Sequence, residues 1–176
     1  RKSHAALQRM LGSSADFLQL VEPQILQGLF ADHIASALRH PIYGRHRPVA
    51  TFALVDPCGV RGVRMSDLSE LLAMPFAECL IFWNYDGLNR WLGGIRAGTA
   101  SGDELREFLG GDRWLADAIE CHASGSGPAD KERRLRSLFA RAVRAHCRAR
   151  FILPFRFTSA HADRTSHYLV HASGNA

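Results

Sequence analysis

Apolar residues form two nearly continuous runs in the middle of the chain. Residues 49–55 stop sharply at Asp56-Pro57, and a second run covers residues 78–84. Short apolar runs that end at turn residues are typical of strands buried on both faces of a parallel sheet. We therefore expect two such strands, with residues 49–55 in a central position, whose carboxyl ends lie at one edge of the sheet.

Elsewhere, apolar residues recur at steps of three and four, which predicts helices. The predicted helices cover residues 3–11, 16–38, 66–74, 101–122 and 130–147, and residues 86–95 are predicted to start another helix or a turn. Ser66 is the predicted N-cap of the third helix. Residues 39–48 and 123–128 are rich in Pro, Gly or Ser, and they are predicted to be loops.

Two strand-like segments close the chain without a helix between them. They cover residues 151–157, where Pro154 indicates an edge strand or a bulge, and residues 167–172. Strands that alternate with helices indicate helices on both faces of a mostly parallel sheet. We expect one doubly wound α/β domain over residues 1–176, with a helical insertion at about 101–148 and a C-terminal antiparallel hairpin.

Charge and cysteine spacing narrow the function classes. The net charge of +5 permits a nucleic acid or another polyanion as partner without requiring one. Cys58, Cys79, Cys121 and Cys147 form no C-x-x-C pair, which argues against a zinc ribbon and favours reduced thiols in the cytoplasm. No apolar run reaches the ~18 residues of a membrane helix, so we expect no membrane partner. We also expect no metal site.

The strand end Asp56-Pro57-Cys58-Gly59 carries the strongest candidate chemistry. In open α/β sheets, ligands bind at the carboxyl ends of the strands. Pro57 fixes the backbone and Gly59 permits a tight turn, so the Asp56 carboxylate can accept hydrogen bonds from a substrate amine and orient it. The alternative is an ordinary strand-terminating turn, in which Asp and Pro are common. Cys58 is expected to be a structural thiol rather than a nucleophile.

Together with residues 78–84, Asn89-Arg90 and residues 167–173, this strand end resembles the three-Cys-motif partner proteins. That family is methyltransferase-like, and the resemblance covers roughly residues 49–173. It implies a Rossmann-like class I methyltransferase fold, which also ends in an antiparallel hairpin. It further implies S-adenosylmethionine as cofactor and methyl transfer to an amine of a nucleic acid or another polyanion, with Asp56 and Pro57 as catalytic residues.

The sequence departs from the family pattern at two places. Cys58 stands where the family usually has an aromatic residue, which in base-modifying enzymes would stack on a flipped base. No G-x-G loop follows a strand upstream of Asp56, so we expect the cofactor-binding segment to be missing and the domain to be incomplete at its N-terminus. Two hypotheses therefore stand: a methyltransferase-like enzyme, or a catalytically silent partner or nucleic-acid-binding module that retains the fold.

Further polar residues are predicted near the same sheet edge. The predicted substrate-binding residues are Cys58, Gly59, Arg61, Asn84, Asn89 and Arg90. Arg61 follows the Asp-Pro turn, and the other new candidates follow the second strand, where an arginine suits a phosphate or a carboxylate. The alternatives are helix capping by Asn84 and a surface ion pair for Arg90.

The last predicted helix carries a basic stripe. Arg134, Arg141 and Arg148 are seven residues apart and Arg144 is close to them, so they are predicted to share one face. Such a stripe can follow a phosphate backbone, although a solvated face of an ordinary amphipathic helix is the alternative. The opposite, apolar stripe is predicted to contain Leu135, Leu138, Phe139, Ala142 and His146.

Four residues near the C-terminus have side chains that often bind metals. They are His161, Asp163, His167 and His171. His167 and His171 are four residues apart on a predicted strand, which is too far for both to bind one metal ion. We expect these side chains to be structural or exposed.

Overall fold

The chain forms an α/β fold in the computed structural model, which describes residues 27–28, 30–39, 49–57, 59–159 and 162–174. Within these ranges the helices are α1 (Phe30–Leu38), α2 (Met65–Leu72), α3 (Tyr85–Arg96), α4 (Asp103–Leu109), α5 (Asp112–Ser124) and α6 (Pro128–His146). The strands are β1 (Thr51–Val55), β2 (Ala77–Trp83), β3 (Phe151–Ser159) and β4 (Ala162–Ser173). None of these helices has the length and apolar character that crossing a membrane requires.

The four strands form one mixed sheet in the order β1-β2-β4-β3. β1 runs parallel to β2, and β4 lies antiparallel between β2 and β3. The prediction of an α/β fold that ends in an antiparallel hairpin is therefore confirmed, as is the edge position of the strand that contains Pro154. The prediction of a mostly parallel sheet is wrong for the described strands, because only the β1–β2 pairing is parallel.

One face of the sheet is buried beneath helices. Trp83 of β2 is fully buried, and its ring stacks on Phe139 of α6 with 4.8 Å between the ring centroids. Tyr168 of β4 also stacks on the Trp83 ring at 5.4 Å, and Phe108 of α4 stacks on Phe139 at 5.5 Å. This aromatic stack joins two strands to two helices at the centre of the core.

The opposite face of the sheet carries exposed, large apolar side chains. Paired residues of adjacent strands lie on the same face, so the strand register places the following residues there: Phe52, Leu54, Phe151, Leu153, Phe155 and Phe157. Phe52 and Leu54 are each 65% exposed. The prediction that residues 49–55 form a central strand buried on both faces is therefore wrong. β1 is an edge strand of the described sheet, and the described helices cover only the face that carries Trp83.

The helices agree with the sequence pattern except at two points. The pattern predicts one helix over residues 101–122, but Gly110 and Gly111 separate α4 from α5 with φ angles of 94° and 135°, which glycine tolerates best. The N-cap of α2 is Arg64 instead of Ser66, and the Arg64 backbone N–H donates to Asp67 Oδ2 in the first turn at 2.8 Å. The predictions for residues 3–11, 16–26 and 40–48 lie outside the described residues.

The aromatic stack leads to a prediction about Trp83. Its indole N–H is buried and has no hydrogen-bond acceptor in the described part of the chain. Trp83→Phe should lower the free energy of unfolding by less than about 2 kcal/mol, because it keeps a stacked ring and removes an unsatisfied donor. Trp83→Ala should cost about 3–5 kcal/mol, because it leaves a cavity. Urea unfolding measures both values, and equal losses would contradict this account.

Candidate functional site at the carboxyl edge of the sheet

The carboxyl ends of β1 and β2 lie at one edge of the sheet because these strands are parallel. Asp56 and Asn84 follow them directly, which confirms the prediction that the two residues share this edge. Since β4 is antiparallel to β2, its first residues also reach the same edge. We call this the carboxyl edge.

The Asp-Pro strand end forms a turn whose acidic side chain is exposed. Pro57 is buried, and Gly59 has a φ of 79°, a left-handed conformation that glycine readily adopts. Asp56 does not line either of the two cavities described below. That its carboxylate faces an open cleft stays a prediction. Cys58 lies outside the described residues.

Asn84 is engaged in helix capping. Its Oδ1 accepts a hydrogen bond of 2.8 Å from the backbone N–H of Gly87 in the first turn of α3. A Cβ atom at Gly87 would lie only 2.9 Å from the Asn84 side chain, so the glycine permits this close contact. The geometry matches the capping alternative that the sequence left open for Asn84.

Arg61 and Arg90 meet at an open cavity of about 590 Å³ beside Trp91. The Arg61 guanidinium lies 5.5 Å from the centre of the Trp91 ring and pairs with Glu104 at 3.1 Å. Arg90 lies 3.6 Å from Asp86. The structure thus brings together two predicted substrate-binding arginines, and each also has a carboxylate partner within the chain.

A second cavity, of about 640 Å³, opens at the carboxyl edge between α3, α6 and the β3–β4 hairpin. We call it the edge cavity. Its charged lining residues are Asp86, Lys131, Glu132, Arg156 and Arg164. Asn89 is the one predicted substrate residue that lines it. The sequence pattern missed its charged residues, because they belong to four separate elements and only the fold brings them together.

Glu132 is the most heavily hydrogen-bonded side chain of the edge cavity. Its Oε1 accepts hydrogen bonds from the Thr165 hydroxyl at 2.5 Å, from Arg156 Nε at 3.1 Å and from the Tyr168 hydroxyl. Arg156 Nε also contacts Thr165 Oγ1 at 2.6 Å. This network ties the beginning of α6 to both strands of the hairpin.

The network keeps Glu132 charged. Burial opposes the charged carboxylate, but hydrogen bonds from Thr165 and Tyr168 and the positive charge of Arg156 outweigh burial and lower the pKa of Glu132. Burial and the adjacent Glu132 carboxylate raise the pKa of Tyr168. Burial, with the Glu132 charge as a further cause, raises the pKa of Tyr85 to about 12. Both phenols are therefore neutral hydrogen donors at neutral pH.

The basic stripe on α6 is shorter than predicted. Arg134, Arg141 and Arg144 are exposed on the helix, and Arg134 pairs with Asp130 at 2.8 Å. α6 ends at His146, so Arg148 lies beyond the helix and the helical prediction for this residue is wrong. The apolar stripe is buried as expected except at His146, which is exposed and contacts the edge of the Trp114 ring.

Two cysteines and two histidines of the described residues have structural surroundings, whereas His161 and the side chain of Asp163 lie outside what the structure describes. Burial raises the pKa of both Cys79 and Cys147 to about 12, which keeps these thiols protonated. His167 stacks on Phe157 with 4.7 Å between ring centroids, and His171 Nε2 lies 3.0 Å from Glu78. The described residues contain no group of three or more His, Cys, Asp or Glu side chains that could hold a metal ion.

The described residues do not by themselves fit S-adenosylmethionine. The resemblance implies that the first strand of the fold and its glycine-rich loop hold this cofactor. In the described ranges β1 has β2 on one side and no strand on the other, and no glycine-rich loop follows a strand there. We therefore derive no chemical step through the cofactor from these residues.

The Glu132 network predicts a pH-dependent contribution to stability. Because the folded pKa of Glu132 is lowered, its contribution is present above the unfolded value of about 4.3 and is lost as pH falls through the folded value. Glu132→Gln should lower the free energy of unfolding by about 1–3 kcal/mol at pH 7 and by less at pH 3. Urea unfolding at both pH values tests this, with Glu70→Gln on the exposed surface of α2 as control. A loss independent of pH would refute the charge-based account.

Comparison with known proteins leaves the family open. No family model, no curated protein and no solved structure matches the chain. The similarity to three-Cys-motif partner proteins therefore stays a prediction from the sequence. The function of the site has to be argued from the geometry of the carboxyl edge.

Proposed function

We propose that this protein is methyltransferase-like and binds an amine-bearing polyanion, such as a nucleic acid, at the carboxyl edge of its sheet. The observation that carries the proposal is the sheet itself: a parallel β1–β2 pair, followed by an antiparallel hairpin whose last strand lies next to β2. This arrangement supports the class I resemblance, in which the substrate side of the fold ends in such a hairpin. The Asp56 turn follows β1 at that edge.

The residues at this edge can hold a substrate amine in a fixed orientation. The exposed Asp56 carboxylate can accept hydrogen bonds from an exocyclic amine, and the buried Pro57 restricts the backbone that carries it. The resemblance assigns the catalytic role to these two residues. In this proposal the Asp56 carboxylate holds and orients the acceptor amine.

Titration with S-adenosylmethionine tests the enzyme proposal. If the complete chain binds the cofactor, a hundredfold excess over Kd should stabilise it by about 2.7 kcal/mol, which a thermal-shift assay detects as a rise in Tm. Asp56→Asn should leave this rise unchanged, because Asp56 contacts substrate. The same variant should transfer labelled methyl groups to single-stranded nucleic acid about a hundredfold more slowly, because it loses the charged acceptor.

The control for this titration is Glu70→Gln, which alters an exposed carboxylate of α2. It should behave as wild type in both the thermal shift and the transfer assay. The absence of any rise in Tm would reject methyl transfer by this chain. The second candidate function would then remain.

That second candidate is a catalytically silent partner or nucleic-acid-binding module. The exposed arginines of α6 favour it, since Arg141 and Arg144 make no ion pair within the described part of the chain. Cations free of a partner carboxylate can neutralise phosphates and release counterions. A protein partner, which the sequence also left open, remains a prediction.

Salt dependence tests the basic face of α6. If Arg141 and Arg144 contact phosphates, Arg141→Ala/Arg144→Ala should weaken binding to single-stranded DNA for all sequences alike. The slope of log K against log salt should become smaller by about 1 to 1.5. Arg113→Ala, an exposed arginine of α5, is the matched control. If the double variant and wild type show the same slope of log K against log salt, the exposed arginines of α6 do not contact the DNA.

A further inference from the structure

We propose that the edge cavity binds the phosphate group of an anionic ligand through Lys131 and Arg164. The inference rests on the proposed function, because it places the phosphate of the substrate at the same sheet edge as Asp56. Lys131 belongs to the beginning of α6 and Arg164 to β4, so the two cations reach the cavity from different elements. Convergent charges in a concave surface are typical of a ligand site.

The acidic residues of the edge cavity are already paired inside the protein. Glu132 accepts hydrogen bonds from Arg156 and from two hydroxyl groups of the hairpin. Asp86 lies 3.6 Å from Arg90 on the next turn of α3. These partners offset both negative charges, so neither carboxylate needs a cation from the ligand.

The two proposed phosphate contacts, by contrast, keep their charge available. In the ranges that the structure describes, neither Lys131 nor Arg164 forms an ion pair. A phosphate carries up to two negative charges and several acceptor oxygens. It can therefore bind the Lys131 ammonium and the Arg164 guanidinium at the same time better than a ligand with a single carboxylate can. A volume of about 640 Å³ leaves room for the group that bears the phosphate.

The loop before α6 adds to this preference for an anion. α6 is 19 residues long, and its N-cap Gly127 provides no side-chain cap. Pro128 occupies the first turn, where the backbone N–H groups of Ala129 and Asp130 have no preceding helical turn to bond. The positive end of the helix dipole therefore reinforces the two cations at the wall of the cavity.

Gly125 fixes the stem of Lys131 against the loop. A Cβ atom at position 125 would lie 2.3 Å from Lys131 Cγ and 3.2 Å from the Lys131 backbone nitrogen. The loop therefore approaches the lysine as closely as only glycine allows. Gly125→Ala should displace the Lys131 side chain without removing any charge. This variant therefore tests the position of Lys131 independently of its charge.

The test uses the complete chain and two probes: inorganic pyrophosphate and a fluorescein-labelled single-stranded DNA hexamer. Lys131→Met/Arg164→Gln keeps much of both stems and removes both charges. It should weaken phosphate binding at low salt about tenfold or more, measured by fluorescence anisotropy and by pyrophosphate competition. Gly125→Ala should weaken binding in the same direction by a smaller factor.

Two control variants separate this site from the basic face of α6 and from an indirect effect on folding. Lys131→Arg/Arg164→Lys keeps the charges and should bind within about threefold of wild type. Arg141→Ala/Arg144→Ala alters the α6 face and should leave pyrophosphate binding unchanged. A hexamer with an uncharged methylphosphonate backbone distinguishes two sources of the bound phosphate group. If this uncharged hexamer does not bind whereas the DNA hexamer does, the site binds a nucleic-acid phosphodiester. If pyrophosphate binds and the DNA hexamer does not, the site binds a small phosphorylated ligand.

The proposal is overturned if the charge-removing variant binds both probes as wild type does, or if wild type binds neither probe. S-adenosylmethionine is absent from these titrations. Rejection of methyl transfer by the thermal-shift assay therefore leaves this result standing, and the edge cavity would then belong to a silent anion-binding module.

Discussion

The stack of Phe108, Phe139, Trp83 and Tyr168 is the interaction on which the remaining structure depends. It joins α4 and α6 to β2 and β4, with centroid separations of 5.5, 4.8 and 5.4 Å along the series. Stacked aromatic rings bury large apolar areas and fix orientation as well as distance. Because α6 is held in this way, the beginning of the helix lies at the carboxyl edge. Its acidic and basic residues lie beside the β3–β4 hairpin there.

One-sided coverage is the second constraint on the fold. The described helices pack on the Trp83 face, while Phe52, Leu54 and the apolar residues of β3 face outward. A sheet of this kind gains its stability from one core layer, so the hydrogen-bonded network around Glu132 matters for holding β3 and β4 against α6. Loss of that network would loosen the hairpin and the edge cavity together.

The sequence predicted most elements of the fold, because helix and strand periods are local properties. The 49–55 run illustrates its limit: an apolar strand has the same pattern whether its second face is covered or open, so the edge position of β1 needed three-dimensional structure. The Gly110-Gly111 break was a local signal that the apolar periodicity on both sides concealed. At the site, Asn84 and Asp56 could be placed from strand ends, whereas Lys131 and Arg164 come together only through long-range packing.

The distribution of charge pairs at the carboxyl edge argues for an anionic ligand more strongly than the net charge does. A chain with a net charge of +5 can spread its cations over a solvated surface without any site. Here the carboxylates at the cavity wall have internal partners, and the Asp130 carboxylate in the first turn of α6 is paired with Arg133 and Arg134. The selectivity of the edge cavity for anions would then depend on which charges the fold neutralises. The Glu132 carboxylate neutralises Arg156, and Lys131 and Arg164 are left to face the cavity.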